Sequence, residues 1–321
     1  MNISIPCRWC LALLATISLS QASDADELLD GLRFSDGVSR STADFAGQHV
    51  VLYFFCGNCP TALSTLGTDV KQAVDWIEQE RKPAWFVCIT PDELPANLIG
   101  LAQSKGITNA LMAHDPRNRL KISLKNILQS RQIAPDGALV RAPGNTPKDM
   151  LTAAMAQASG SYRIPVEGLT DAKVITAWWM AERGVGKGAL KELVAVGKRK
   201  GATAEQAQKV VEAAQKACDT AFAAAGDGLA AYETIERLAG RFDGLDLKPL
   251  KTRLGELDKD ATVKEELKAR EMWLKCQAAL ASPKPKEQAA GRDGLAQLAK
   301  KFPDTVYGRK AGAEPAPAPK E

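Results

Sequence analysis

Cys56 and Cys59 stand two residues apart, separated by Gly57 and Asn58 and followed by Pro60. Two thiols at this spacing can close a disulfide, and the same two can pass electrons by exchange. A thiolate attacks a disulfide sulfur, and the second thiol resolves the mixed disulfide. The thiolate is the reactive form, and a helix N-terminus stabilises it through unpaired amides and the helix dipole. Two other readings stand beside this one: an inert structural disulfide, or half of a zinc site. Zinc needs further ligands, and outside the pair the exported chain offers only scattered ones, such as Cys88, His49 and His114. Exchange chemistry is the favoured reading, and it requires neither cofactor nor metal.

The elements around the pair fit that chemistry. His49-Val50-Val51-Leu52-Tyr53-Phe54-Phe55 is a β-branched and aromatic run without polar alternation, which predicts a central strand buried on both faces. Leu63, Leu66, Val70, Val74 and Ile77 then recur at helical spacing, so a helix starts near Pro60. Proline favours the first position of a helix, which makes Cys59 the cap residue nearest the free amides, with Cys56 as its partner in the loop. The opposite order, with Cys56 attacking first, stays open. Trp85-Phe86-Val87-Cys88-Ile89 reads as a second buried strand ending at Thr90-Pro91-Asp92. A helix over about 94–105 follows, then a short strand at Ala110-Leu111-Met112. Strands over Ile127–Ala134 and Ala138–Arg141, joined by the turn Pro135-Asp136-Gly137, close the series. Strands alternating with helices and ending in a hairpin predict a small α/β domain over 23–142.

The 321 residues are too many for one typical domain. From Thr146 onward strand signals vanish and helical stripes take over, predicting an all-α domain over 148–311 after a linker at 143–147. Leu238-Ala239-Gly240-Arg241-Phe242 echoes Leu298-Ala299-Lys300-Lys301-Phe302, each placed to close a helix, so stacked helical hairpins are expected. The tail over 312–321, rich in proline and alanine, is expected to be disordered. Residues 1–22 combine Arg8, an apolar core from Cys10 to Leu19 and small residues before Ser23, the pattern of a secretory signal. Export to a periplasmic or extracellular compartment follows. Once the signal is removed, five cysteines remain, too few and too uneven for a disulfide-stapled scaffold. A net charge of +4 gives no reason to invoke nucleic acid or a membrane surface as a partner.

Asp36-Gly37, Phe45-Ala46-Gly47, Val50 to Phe55, Cys56 to Pro60, Asp115-Pro116 and Pro135-Asp136-Gly137 come in the order seen in exported thioredoxin-like proteins. Over about residues 32–142 the chain resembles the branch that unites thiol-disulfide oxidoreductases with peroxiredoxins. The resemblance implies a thioredoxin fold: a central mixed sheet flanked by helices, followed here by the helical-hairpin domain. It places the redox site at the N-terminus of the helix after Cys59. Cys59 and Cys56 would be catalytic, with Gly57, Asn58, Pro60 and Thr61 supporting them. The usual spacing in this family, counted without gaps from Val50, falls on Cys59, in agreement with the proline argument. Two departures matter. Family oxidoreductases carry a cis-proline facing the cysteines, and the stretch from Leu124 to Gln132 has no proline. Cys59-Pro60-Thr61 looks like the segment around a peroxidatic cysteine, yet Tyr53 to Asn58 lacks that family's upstream proline and threonine, and no arginine is matched to that family's, though Arg131 is near.

Other residues read as structural. Cys88, Cys218 and Cys276 fall on apolar stripes and are expected in the core. His49 is expected to be exposed at a strand start, and His114 in a surface turn. Gly184 to Gly188 mimics a phosphate loop without its full spacing and reads as a helix break. Trp178 and Trp179 are expected to pack between helices. Three functions compete: thiol-disulfide exchange on protein or small-molecule partners, peroxide reduction through Cys59, and a non-catalytic envelope scaffold working through its helices.

Overall fold

The run His49–Phe55 forms a strand with every residue buried, from His49 at 1% exposure to Phe55 at 0%. Full burial of a large apolar side chain contributes about 1.5–3 kcal/mol, so this strand dominates the local balance. It lies at the centre of the sheet in a computed structural model that describes residues 24–36, 39–92, 95–107, 110–141, 146–157, 160–184, 188–280, 282 and 284–313. The secretory segment, Gly37, residues 143–145 of the linker, 185–187 and the chain beyond 313 lie outside the described residues.

The N-terminal half runs α1 (Asp24–Asp30), β1 (Arg33–Phe34), a 3₁₀ turn over Thr42–Phe45, β2 (His49–Phe55), α2 (Pro60–Thr65), a π-turn over Leu66–Val70, α3 (Lys71–Gln79) and β3 (Ala84–Thr90). It continues with α4 (Pro95–Ser104), β4 (Leu111–His114), β5 (Leu128–Ile133), β6 (Leu139–Val140) and α5 (Pro147–Gln157). The strand order is β1-β4-β3-β2-β5-β6. β2 pairs parallel with β3 and antiparallel with β5, and β5 turns back onto β6. A parallel βαβ unit, an antiparallel hairpin beside it and the helix α5 packed on β2 and α3 make a thioredoxin fold. The hairpin turn has the expected chemistry: Gly137 takes φ +89 and donates to Ala134 O, and Asp136 Oδ1 accepts from Ala138 N–H.

The helical half comprises α6 (Ala172–Arg183), α7 (Ala189–Gly197), α8 (Ala202–Ala223), α9 (Gly228–Arg241), α10 (Lys248–Leu257), α11 (Ala261–Leu280), α12 (Pro285–Lys301) and α13 (Val306–Ala313). α6 stops where Gly184 adopts the left-handed conformation, φ 64. The two echoed segments close α9 and α12 in the same way, with Phe242 N–H on Leu238 O and Phe302 N–H on Leu298 O, both 2.9 Å. One apolar core runs from Ala25 through the sheet into α10 and the start of α11, and a second gathers Ala269, Cys276, Leu295, Leu298 and Phe302. Cys88, Cys218 and Cys276 are buried and free, and Trp178 and Trp179 pack in the larger core.

Two expectations are corrected. His49 is buried: Gly160 lies against its ring, Ser161 N–H donates to Gly47 O just before β2, and its Nδ1 pairs with Gln132 Nε2 at 3.0 Å. His114 is buried because β4 extends to it, in register with Arg33 of β1 and Thr90 of β3.

Candidate active site

The parallel strands β2 and β3 end on the same rim of the sheet, and β5 begins there. At the end of β2 the chain leaves the ladder at Cys56, whose N–H donates to Ile127 O at 3.0 Å. A tight turn follows, with Cys59 N–H directed to Cys56 O at 3.3 Å. Cys59 then caps α2 in extended conformation (φ −99, ψ 118), with Pro60 at the first helical position. Its carbonyl accepts the first helical bond, from Leu63 N–H at 3.0 Å. The first-turn amides beyond Pro60, at Thr61 and Ala62, have no intrahelical acceptor in such a geometry. The cap therefore sets the Cys59 side chain at the positive end of the helix.

Cys56 and Cys59 are joined by a disulfide, with their Cα atoms 5.4 Å apart. Each is 3% exposed, whereas Asn58, Pro60 and Thr61 on the rim are exposed and Gly57 is buried. All six residues singled out in the sequence thus sit in one loop and first helical turn. α2 continues through the π-turn into α3, so the cap is backed by a longer helical segment.

The stretch Leu124 to Gln132, where the family resemblance implies a cis-proline, has no proline, and no cis peptide occurs among the described residues. The backbone of Ile127 engages Cys56 directly instead. Arg131 lies farther along β5, opposite Leu52, and donates to Ser130 O at 2.8 Å. It is held along the strand and not at the cysteines.

Sequence reasoning did not single out Asp92. The Asp92 Oδ2 atom accepts from Gly57 N–H at 2.7 Å, bringing the end of β3 onto the cysteine loop. The only signal was its place in Thr90-Pro91-Asp92, where a strand ends beside the one that carries the cysteines. The neighbouring His114 donates from Nε2 to Pro91 O at 3.2 Å. Burial lowers its pKa, and the Arg33 charge adds to that. Cys88 pairs in register with Tyr53 one strand over, and burial pushes both of their pKa values up. A thiol so placed stays protonated and unreactive. Among the described residues, no group of three His, Cys, Asp or Glu side chains is arranged to hold a metal ion.

No protein-family model and no curated protein matches this chain. Solved structures do resemble part of it. A secreted thiol-disulfide isomerase from Corynebacterium glutamicum is 16% identical, with a TM-score of 0.32, covering 38% of this chain and 79% of that one. A PrxQ variant from Xylella fastidiosa is 18% identical, with a TM-score of 0.33, covering 43% and 96%. The bacterioferritin comigratory protein of Xanthomonas campestris is 15% identical, with a TM-score of 0.33, covering 43% and 99%. The thioredoxin fold is read from the strand order.

Proposed function

We propose that the protein is a thiol-disulfide oxidoreductase working through the Cys56–Cys59 pair, with Cys59 as the attacking sulfur. The observation that carries this reading is the disulfide itself, placed so that one of its two sulfurs belongs to a helix-capping residue. A helix start lowers the pKa of a cysteine there and enriches its thiolate. In the reductive direction the Cys59 thiolate attacks a substrate disulfide. A Cys59–substrate bond forms, the substrate S–S bond breaks, and the released thiolate takes a proton from water. Cys56 then loses its proton to water and attacks Cys59, which restores the Cys56–Cys59 bond and frees the second substrate thiol. Two electrons pass from the pair to the substrate, and an external dithiol returns them.

The substrates are protein or small-molecule thiols and disulfides. Export of the chain, read from residues 1–22, would put the pair where protein disulfides are common. No described helix is long and apolar enough to cross a membrane.

Insulin reduction by dithiothreitol, measured on wild type, Cys56→Ser and Cys59→Ser, tests the reading. Wild type accelerates the reaction and both variants lose turnover. Cys59→Ser also fails to form a mixed disulfide with a disulfide reagent, whereas Cys56→Ser traps one. Absence of turnover in wild type, or trapping by Cys59→Ser alone, would overturn the reading or the order of attack. Peroxide consumption without disulfide turnover would move the assignment to peroxide reduction.

A further inference from the structure

We propose that Asp92 sets the redox poise of the pair: its carboxylate, held against the cysteine loop, disfavours the reduced state and makes the site a donor of electrons to disulfides. This deepens the exchange reading and rests on it.

The placement of Asp92 is built rather than incidental. The corner after β3 is tied at three points: Asp92 N–H to Thr90 Oγ1 at 3.2 Å, Asp115 N–H to Thr90 O at 3.0 Å, and His114 Nε2 to Pro91 O at 3.2 Å. That corner carries Asp92 Oδ2 to the amide of Gly57, at 2.7 Å and one residue from Cys56. Among the described residues no lysine or arginine forms an ion pair with Asp92.

Two consequences follow for the electrons. The Gly57 amide is committed to the carboxylate, so it is not available to stabilise a Cys56 thiolate by hydrogen bonding. The carboxylate also repels negative charge in the loop, while the uncharged disulfide is indifferent to it. The repulsion acts on the Cys59 thiolate of the reduced pair and raises that form relative to the uncharged disulfide, and the committed Gly57 amide offers no stabilised Cys56 thiolate to offset it. An oxidoreductase whose reduced form is stabilised is a strong oxidant, so the opposite bias gives a reductant. The two sulfurs are affected unequally. Cys59 keeps the helix start, and Cys56 stays a thiol until the mixed disulfide exists. The substrate class is therefore disulfides, resupplied with electrons by an external dithiol.

The test equilibrates the full chain with reduced and oxidised glutathione, traps the thiols by alkylation and reads the oxidised fraction by mass. Wild type is compared with Asp92→Asn and Asp92→Ala at 0.1 M and 1 M potassium chloride. The asparagine keeps an acceptor for Gly57 and removes the charge. Expected is a shift of the equilibrium toward the dithiol by about threefold to tenfold in Asp92→Asn at low salt, tenfold being about 30 mV. The shift is at least as large in Asp92→Ala. Because Asp92 is exposed, the Asn effect shrinks at 1 M, where the Debye length falls to about 3 Å. An unchanged equilibrium in Asp92→Asn overturns the proposal, with exchange activity intact. A salt-independent shift of equal size in both variants assigns the effect to loop geometry and also overturns it. A wild-type pair that never equilibrates with glutathione removes the exchange reading itself, and the proposal with it.

Discussion

The two ends of the sheet are held by different physics. At the upper rim, where β2 and β3 finish, the cysteine loop is fastened by backbone bonds to Ile127 and Leu63 and by one exposed carboxylate. At the lower edge, where the same strands begin, side chains do the fastening, and they are buried. Glu182 from α6 accepts the N–H groups of Arg163 and Ile164, both at 2.8 Å, and the Nε2 of Gln48. Gln48 in turn accepts from Trp85 Nε1. The Arg183 guanidinium lies 3.4 Å over the Trp85 ring and donates to Ala84 O. The lower edge joins the helical half to the sheet, and the upper rim carries the cysteine pair proposed to exchange. Strength is concentrated where nothing needs to change.

Removing Glu182 is the severest way to break this contrast. Glu182→Leu leaves two backbone amides and the Gln48 amide buried without an acceptor, for a loss of about 3–5 kcal/mol. Denaturant unfolding reads it. A loss below about 1 kcal/mol would show that the lower edge is not the anchor. Cys56→Ser, by contrast, opens only a small loop and costs about 2 kcal/mol on the loop-entropy scale, while it abolishes turnover. Gly47→Ala comes next. Gly47 has φ +77, its carbonyl accepts Ser161 N–H, and an added Cβ would come within 2.4 Å of Ser161 Oγ. The serine hydroxyl can swing away, so the remaining cost is the left-handed backbone, about 1–2 kcal/mol. Both lower-edge variants leave the glutathione equilibrium of the pair unchanged. A shift in that equilibrium would show the two ends to be coupled.

The upper rim was the more legible end. An unbroken apolar run, two cysteines and a proline name a strand, a turn and a helix start from local sequence alone, and β2 and α2 begin where those residues say. Pro135-Asp136-Gly137 named its hairpin for the same reason. The lower edge was opaque because its meaning is non-local. Gln48, Glu182 and Arg183 look like ordinary polar residues until the fold brings positions 134 residues apart together. His49 misled for that reason: a polar residue opening a strand is ordinarily solvated, and it is distant Gly160 and Gln132 that lie against it here. α1 carried no clear signal, being seven residues long and too short to be helical without its packing. Asp92 was visible as a residue but not as a partner, since contact between two strand ends depends on the register of β2 against β3.

The smallest expected effect concerns pH, and it again separates the two ends. Burial raises the pKa of Glu182, partly opposed by the Arg163 and Ile164 amides and by the Arg163 and Arg183 charges. Tyr162, at the same edge, has its own pKa raised by burial and by the Glu182 charge. A carboxyl raised in the folded state binds its proton more tightly there than in the unfolded chain. Its stabilising contribution is thus fully present below the unfolded value of ~4.3 and is lost as pH rises through the folded value. Glu182→Gln removes this titration and keeps one acceptor oxygen. The stability difference between wild type and Glu182→Gln should therefore move in favour of wild type as pH falls from 7 toward 5, by no more than about 1 kcal/mol. Denaturant unfolding at several pH values checks this. A difference moving the other way would mean that the amides and guanidinium groups outweigh burial at Glu182. The lower edge would then be an ion-paired anchor that weakens in acid.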